Sequence, residues 1–369
     1  MYDSAEDKLV EKAVIVGVKI APTSDFEFQE SLDELSSLVT SAGAEVVAVV
    51  AQARKRINAA FFVGKGKVSE IQERIEETGA NLVVFDDELS PAQVRNLEKI
   101  LEVKVIDRGA LILDIFSKRA KTKEARVQVE MAQLEYTFPR LTRQWSHLSK
   151  QVGGIGTKGP GETQLETARR MTRKRISVLA ERLKRIDTER TIQRKRRKGL
   201  FNVCLVGYTN AGKSSLFNAL TNEEVWVENM LFCTLDSTSR SFHVGNGRKI
   251  IFTDTIGFIK KLPYQLVASF RSTLNEVRYA DLLVHVVDFS HPHYVKRIAH
   301  VKNVLEQLEA DKIPRIMAFN KIDLSPEAYL QFGQIVVPNS DKFFISATKK
   351  FGLDFLIKRI AQLAENSSR

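Results

Sequence analysis

A glycine-rich segment in the second half of the chain has the residue types and spacing of a phosphate-binding loop. Residues 207–214 read Gly-Tyr-Thr-Asn-Ala-Gly-Lys-Ser, between an apolar run at Leu200–Val206 and a helical pattern that begins at Ser215. Glycines in such a loop let backbone N–H groups wrap phosphate oxygens, and the helix N-terminus adds a favourable dipole. The lysine of this pattern reaches the β- and γ-phosphates, and the serine binds Mg²⁺. We therefore expect Lys213 and Ser214 to hold a nucleotide and its metal.

Two later motifs, each after an apolar strand pattern, supply the remaining parts of a nucleotide site. Residues 254–257 read Asp-Thr-Ile-Gly, in which an aspartate can hold Mg²⁺ through water and a glycine amide can sense the γ-phosphate. Residues 320–323 read Asn-Lys-Ile-Asp. The carboxylate of Asp323 can accept from both the ring N–H and the exocyclic amine of guanine, whereas adenine has no ring N–H at that position. Loss of a paired hydrogen bond in a buried site discriminates strongly, so these motifs predict GTP.

A fourth loop, Ser346–Thr348, follows a strand pattern and is expected to lie behind the base. All four motifs come at the ends of predicted strands, as they must in a nucleotide-binding α/β domain. The residues expected to bind GTP are Gly207, Tyr208, Thr209, Asn210, Ala211, Gly212, Lys213, Ser214, Ser215, Asp254, Thr255, Ile256, Gly257, Asn320, Lys321, Asp323, Ser346, Ala347 and Thr348.

The elements before this domain predict two further parts. Apolar runs and helical patterns alternate from about residue 13 to 107, which is typical of a small parallel-sheet α/β domain. The predicted strands are Ala13–Ile20, Val46–Val50, Phe61–Val63, Leu82–Phe85 and Val103–Ile106, and the predicted helices are Phe28–Ala42, Gly66–Thr78 and Pro91–Leu101. Gly64–Lys67 follows one of these strands and is interpreted as an ordinary basic turn, with a second nucleotide site as the alternative.

Between the two α/β parts lies a strongly basic segment. Residues 117–198 hold 23 Lys and Arg against 8 Asp and Glu, within a chain of 369 residues and net charge +11. Such an excess favours a polyanionic partner, most simply nucleic acid. Two helical stripes there predict an antiparallel hairpin with a glycine-rich tip, residues 151–163. The stripes are Val127, Met131, Leu134 and Phe138 in the first helix, and Leu165, Ala168, Met171, Ile176, Leu179, Leu183 and Ile186 in the second.

The predicted fold class is therefore α/β, with an N-terminal α/β subdomain (1–116), a long antiparallel helical hairpin (117–198) and a C-terminal P-loop GTPase domain (199–369). The chain contains only two cysteines, Cys204 and Cys233, which excludes a disulfide framework and argues against a cysteine-based zinc site. No apolar run is long enough to span a membrane, and the acidic start lacks the features of a signal peptide.

These motifs, together with the rest of the chain, resemble the HflX family of ribosome-associated P-loop GTPases over nearly the whole length. The resemblance rests on the segments Gly153–Glu166, Phe232–Asp236, Asp254–Ile259 and Phe270–Leu274. It implies a GTP-hydrolysing factor that binds the large ribosomal subunit and separates stalled or stressed ribosomes in a GTP-dependent manner. The alternative is an rRNA-binding or remodelling module for which GTP is only a structural switch.

The resemblance also implies roles for particular residues. It places the first switch threonine at Thr234, so the expected catalytic residues are Lys213, Thr234 and Gly257, and the expected Mg²⁺ ligands are Ser214, Thr234 and Asp254. The expected rRNA contacts are Gly153, Gly154, Lys158, Arg169, Arg170 and Arg173. Phe258 occupies the position at which many such GTPases have a water-orienting glutamine, so intrinsic hydrolysis is expected to be slow.

The cofactor and partner expectations follow from the same interpretation. Asn210 either helps to hold K⁺ beside the phosphates, as an asparagine there does in related GTPases, or only stabilises the loop. We expect a monomer that binds GTP or GDP, the large ribosomal subunit and rRNA, without stable membrane insertion. The expected location is the cytoplasm, with peripheral membrane association as the alternative.

Overall fold

A computed structural model describes residues 10–140, 160–196, 199–221, 231–232, 238–244, 248–262, 266, 276–325 and 341–366. The chain divides into two compact units. One contains the described parts of residues 1–118, 129–179 and 261–266, and the other contains those of 119–128, 180–260 and 267–369. Within the described part of the chain, no helix is both long enough and apolar enough to cross a membrane.

The first unit is built on a four-stranded parallel sheet with the strand order β2-β1-β3-β4. Its elements are β1 Lys12–Ile20, α1 Asp25–Ser41, β2 Glu45–Arg54, α2 Lys65–Thr78, β3 Leu82–Phe85, α3 Pro91–Leu101, β4 Lys104–Asp107 and α4 Arg108–Arg119. Apolar side chains of β1 and β3 are almost fully buried, as expected for central strands covered on both faces. The predicted parallel α/β fold is therefore confirmed.

Helix boundaries in this unit follow local capping chemistry. Ser24 and Ser90 each form a capping box, in which the serine hydroxyl accepts from a backbone N–H and a Glu or Gln side chain returns to the serine N–H. At the other end of α2, Gly79 has a left-handed φ of 65° and its N–H bonds to Ile75 O. The basic turn at Gly64–Lys67 is the start of α2, where Lys67 pairs with Glu70 at 2.6 Å.

One predicted strand of this unit, Phe61–Val63, is wrong. These residues form a turn in which the backbones of Phe62 and Asn58 exchange two hydrogen bonds of 2.9 Å. The Asn58 side chain accepts from the N–H groups of Ala60 and Phe61, so the backbone groups that would have extended a ladder are used locally. The apolar side chains of Phe62 and Val63 are nevertheless buried.

The basic region contains two helices of unequal length, α5 Lys123–Thr137 and α6 Pro160–Arg196. In the first unit, Arg175 of α6 pairs with Glu130 of α5 at 2.6 Å, and in the second unit Arg190 pairs with Glu124 at 2.8 Å. Residue numbers thus rise along α6 as those of their partners fall along α5, which is the antiparallel order of a hairpin.

The buried face of α5 differs from the predicted stripe. Val127, Met131, Leu134 and Phe138 are only half-buried, whereas the buried positions are Ala125, Gln128, Val129, Ala132 and Tyr136. The Tyr136 hydroxyl donates to buried Asp107 at 2.6 Å, and the Arg140 guanidinium lies over the Tyr136 ring and also bonds Asp107. Because these contacts hold Tyr136 in the core, the face of α5 that carries Tyr136 is buried instead of the most apolar face. On α6, Leu179 is fully buried as predicted, but Met171 is 66% exposed.

The second unit contains a six-stranded sheet with the order β10-β9-β8-β5-β7-β6, parallel except for the edge strand β6. Its elements are β5 Phe201–Gly207, α7 Lys213–Thr221, β6 Thr238–Val244, β7 Arg248–Asp254, β8 Leu282–Asp288, α8 Tyr294–Gln307, β9 Arg315–Asn320, β10 Lys342–Phe344 and α9 Leu353–Asn366. The five parallel strands β5, β7, β8, β9 and β10 bring their carboxyl ends to the same edge, where loops of α/β proteins bind ligands.

A buried histidine lies in the middle of this sheet. His285 of β8 is 2% exposed, and burial, with smaller contributions from Arg315 and Lys213, lowers its pKa to about 3. The imidazole is therefore neutral at physiological pH and acts as a core side chain.

Candidate nucleotide-binding site

The predicted phosphate loop connects the end of β5 to the start of α7. β5 is buried from Val203 onward and pairs with β7 on one side and β8 on the other, so the loop emerges at the centre of the sheet edge. Lys213 is the first residue of α7, and Leu216 N–H bonds back to Gly212 O. The phosphate loop therefore ends at the N-terminus of α7, and the N–H groups of a helix N-terminus favour an anionic ligand.

Two glycines of the site are required by close approach of neighbouring groups. Gly212 has φ +88°, and an added Cβ would lie 2.2 Å from Asn320 Nδ2. At Gly257 an added Cβ would lie 2.7 Å from Thr209 Cα and 2.9 Å from Lys213 Nζ. Any side chain at either position would displace the phosphate loop from a neighbouring loop.

The lysine of the loop is buried and already oriented. Lys213 is 5% exposed, and its Nζ donates to Tyr208 O at 2.8 Å and to Gly207 O at 3.3 Å. These two carbonyls hold the Lys213 ammonium group against the main chain of the phosphate loop.

Two of the three predicted magnesium ligands, Ser214 and Asp254, meet at the next strand end. Ser214 Oγ donates to Asp254 Oδ2 at 2.7 Å, and Asp254 is fully buried at the end of β7. A hydroxyl and a carboxylate at this distance form a hard oxygen donor set of the kind Mg²⁺ prefers. Thr255 donates its hydroxyl to Leu205 O at 2.6 Å, so its side chain fastens the start of this motif to β5.

The residue after Gly257 joins its loop to the phosphate loop through the main chain. Phe258 N–H donates to Gly207 O at 3.1 Å, and Thr209 N–H donates to Phe258 O at 2.8 Å. The Phe258 side chain is 5% exposed and packs in a core cluster with Val206 and Leu283. The side chain at the position of the water-orienting glutamine therefore points into the core.

Asn320 connects the phosphate loop to the loop of residues 346–348. Its Nδ2 donates to Ala211 O at 3.0 Å, and its Oδ1 accepts from Ala347 N–H at 3.0 Å. Both contacts are buried, so the asparagine amide fixes the distance between the two loops. In the second of them, Ser346 Oγ accepts from Lys349 N–H at 3.1 Å and lies 3.2 Å from Thr348 Oγ1.

The two residues predicted to recognise the base follow Asn320 directly. Lys321 has a left-handed φ of 65°, and its Nζ pairs with Asp288 Oδ2 at 2.8 Å. Asp323 lies in a short 3₁₀ turn, Ile322–Leu324, and its Oδ1 is buried without a hydrogen-bond partner among the described residues. A buried carboxylate oxygen is normally hydrogen-bonded, and the ring N–H and exocyclic amine of guanine would provide two hydrogen-bond donors.

Two features of this region were not predicted from the sequence. Asp288, at the end of β8, holds Lys321, and an aromatic cluster of Phe289, Phe319 and Phe344 packs beside it, with Phe319 and Phe344 stacked at 5.0 Å. The apolar run Leu282–Val287 followed by an aspartate was the available signal for a strand end at Asp288. Nothing in the spacing indicated its partner.

The other predicted site residues lie in the phosphate loop, at the start of α7, on α6 or outside the described part of the chain. Thr234 and the tip residues Gly153, Gly154 and Lys158 lie outside the described residues. Ser215 is half-buried in the first turn of α7, and Asn210 is exposed in the loop with φ +58°. The predicted rRNA contacts Arg169, Arg170 and Arg173 lie on α6, where Arg170 and Arg173 are exposed.

The fold, the phosphate loop, the Ser214–Asp254 pair and the Asn320–Asp323 turn together define a P-loop GTPase. Three family models match successive parts of the chain: "GTP-binding GTPase N-terminal" at residues 29–117, "GTP-binding GTPase Middle Region" at 119–197 and "50S ribosome-binding GTPase" at 202–321.

Comparison with individual known proteins shows to which family of P-loop GTPases the chain belongs. The chain is 47% identical to GTPase HflX of Caldanaerobacter subterraneus over 98% of its own length and 82% of that protein. It is 44% identical to GTPase HflX of Escherichia coli K12 over 98% of its length and 83% of that protein. The crystal structure of SsGBP in complex with GDP matches with a TM-score of 0.52 and 25% identity, covering 98% of this chain and all of that one. The chain belongs to the HflX family of GTPases and hydrolyses GTP.

Proposed function

We propose that this GTPase binds the large ribosomal subunit and uses GTP to separate stalled or stressed ribosomes into their subunits. The observation that carries the proposal is that one chain combines a P-loop GTPase domain with a long basic helix, α6. The match to a ribosome-binding GTPase family over residues 202–321 supports the partner. The proposed domains are residues 1–116, 117–198 and 199–369. We propose that the protein acts as a monomer in the cytoplasm.

In the proposed site, main-chain N–H groups of residues 207–215 bind the phosphates, and Lys213 neutralises the β- and γ-phosphates. The Gly257 amide contacts the γ-phosphate, residues 254–256 hold that amide in place, and Thr234 closes over the site. Guanine is bound by Asp323, with Lys321 along its face and the loop 346–348 behind it.

Mg²⁺ fits the oxygen donors present, because Ser214 Oγ and the Asp254 carboxylate are 2.7 Å apart. Ser214 and Asp254, with Thr234, are the proposed ligands. When bound, the ion neutralises charge on the phosphate oxygens.

The proposed rRNA surface is the exposed side of α6 together with the tip. Arg170 and Arg173 are exposed, and the Arg173 guanidinium lies 5.3 Å from the centroid of the Phe138 ring. Arg169 and the tip residues Gly153, Gly154 and Lys158 complete the proposed contacts. Contacts of this kind bind phosphate and depend strongly on salt.

Sedimentation with purified large subunits tests this function. We expect the chain to pellet with large subunits more strongly with a non-hydrolysable GTP analogue than with GDP. The double variant Arg170→Ala, Arg173→Ala should bind about tenfold more weakly, because it loses two phosphate contacts. Lys99→Ala, Lys358→Ala removes the same charge from exposed positions elsewhere and should bind normally. Equal binding to large subunits with the GTP analogue and with GDP would instead favour an rRNA-binding or remodelling module for which GTP is a structural switch.

We further propose that Asn210 helps to hold K⁺ beside the phosphates. Its side chain is exposed within the phosphate loop, where an amide oxygen can serve as a ligand for a monovalent cation. GTP turnover at fixed ionic strength should then be higher in K⁺ than in Na⁺, and Asn210→Ala should abolish the difference. Equal turnover of the unaltered chain in the two salts would contradict the proposal.

A further inference from the structure

One side chain of the phosphate loop does not belong to the loop's ligand-facing side. Tyr208 is 4% exposed and packs in the core cluster with Phe258 and Val206. Two residues of α8 cover its ring: the Arg297 guanidinium lies 4.6 Å from the ring centroid, and the His300 ring lies edge-on at 5.9 Å. The ring is therefore held in one orientation.

The Tyr208 hydroxyl contacts the segment that follows Gly257. It accepts a hydrogen bond from Lys260 N–H at 3.1 Å. One residue earlier, His300 Nε2 lies 3.3 Å from Ile259 O, and because a carbonyl can only accept, Nε2 carries the hydrogen. With the two main-chain bonds of Phe258, each residue of 258–260 is fastened either to the phosphate loop or to α8.

This segment determines where the Gly257 amide lies. Gly257 is already so close to Thr209 and Lys213 that no Cβ fits, so a small shift of the residues after it would move the amide relative to the phosphate loop. The Phe258 side chain offers no group to orient a water molecule. The rate of hydrolysis by this chain is therefore expected to be sensitive to the placement of the main chain around Gly257, since transition-state stabilisation requires preorganised donors.

We propose that Tyr208 is a positioning residue for GTP hydrolysis, whose hydroxyl holds residues 258–260 and thereby the Gly257 amide. The group acts on the rate of hydrolysis rather than on nucleotide binding, because the Tyr208 carbonyl and N–H that line the phosphate loop do not depend on its hydroxyl.

The variant Tyr208→Phe tests this role because it removes one oxygen and keeps the ring under Arg297 and His300. We expect kcat for GTP to fall about tenfold, the usual size of one lost hydrogen bond of ~1.4 kcal/mol. KM for GTP and the dissociation constant of GDP should stay within about twofold. Tyr136→Phe is the matched control, since it removes another buried tyrosine hydroxyl from the first unit and should leave kcat unchanged.

A second variant keeps the proposal testable should Tyr208→Phe fold poorly. His300→Ala removes the bond to Ile259 O, and it should lower kcat with GDP affinity retained. The double variant should lose less than the product of the two single losses, because both groups hold the same segment. The proposal is overturned by an unchanged kcat in Tyr208→Phe, by a parallel loss of kcat and GDP affinity, or by multiplicative losses in the double variant.

Discussion

The Asp323→Asn variant should prefer xanthosine triphosphate to GTP. In the proposed site the Asp323 carboxylate, whose Oδ1 is buried, accepts from two guanine donors, whereas an asparagine amide would place an N–H against one of them. We expect GTP affinity to fall by about 100- to 1,000-fold, corresponding to ~3–4 kcal/mol for two hydrogen bonds to a charged group. Xanthine carries a carbonyl in place of the guanine amine and can accept from the new N–H, so its nucleotide should bind more tightly than GTP.

Titrations of both nucleotides against the variant measure this exchange. Asp311→Asn is the matched control, because it makes the same chemical change at an exposed position of the same unit and should leave both affinities unaltered. A Asp323→Asn protein with the original nucleotide preference would refute the assignment of residues 320–323 to base recognition.

The sequence predicted most of the sheet strands because their signals are local. Parallel strands buried on both faces are continuous apolar runs, and Leu82–Phe85 is such a run with exact agreement in both boundaries. The helix starts at Ser24 and Ser90 follow equally local capping chemistry, although the predicted start of α1 at Phe28 came three residues late. Local signals fail when a side chain competes with the ladder, as Asn58 does at the turn containing Phe62.

The face of a helix is less predictable, because it depends on distant partners. The apolar stripe of α5 predicted the wrong buried side, since Tyr136 is drawn to Asp107, 29 positions earlier in the chain. Neither residue is unusual by itself. Only the fold places a buried carboxylate at the end of β4 where that hydroxyl can reach it.

In the candidate site, too, residues that belong to a motif are predictable from the sequence, whereas the residues that contact them are not. Spacing predicted Lys213, Asp254 and Asp323 as site residues, because each occupies a fixed place at or after the end of a strand. It did not reveal that Asp288 holds Lys321, or that Tyr208 turns its hydroxyl toward Lys260. Those contacts join segments 33 and 52 residues apart, and they arise from the order of strands in the sheet.

Large ribosomal subunits should accelerate hydrolysis of GTP strongly. Phe258 is buried among core side chains and cannot orient the attacking water, so the isolated chain lacks a group that many related enzymes supply themselves. A partner that contacts the switch segments can supply it, and in other GTPases such help accelerates hydrolysis by ~10³–10⁵-fold. We expect an acceleration of at least about tenfold, with isolated small subunits having no effect.

Single-turnover hydrolysis of GTP with and without purified large subunits is the most direct test of a ribosome-dependent GTPase. We predict a slow rate for the chain alone, a rate at least about tenfold higher at saturating large subunits, and loss of this stimulation as salt weakens the phosphate contacts. Equal rates with and without large subunits, at concentrations where the chain pellets with them, would contradict it.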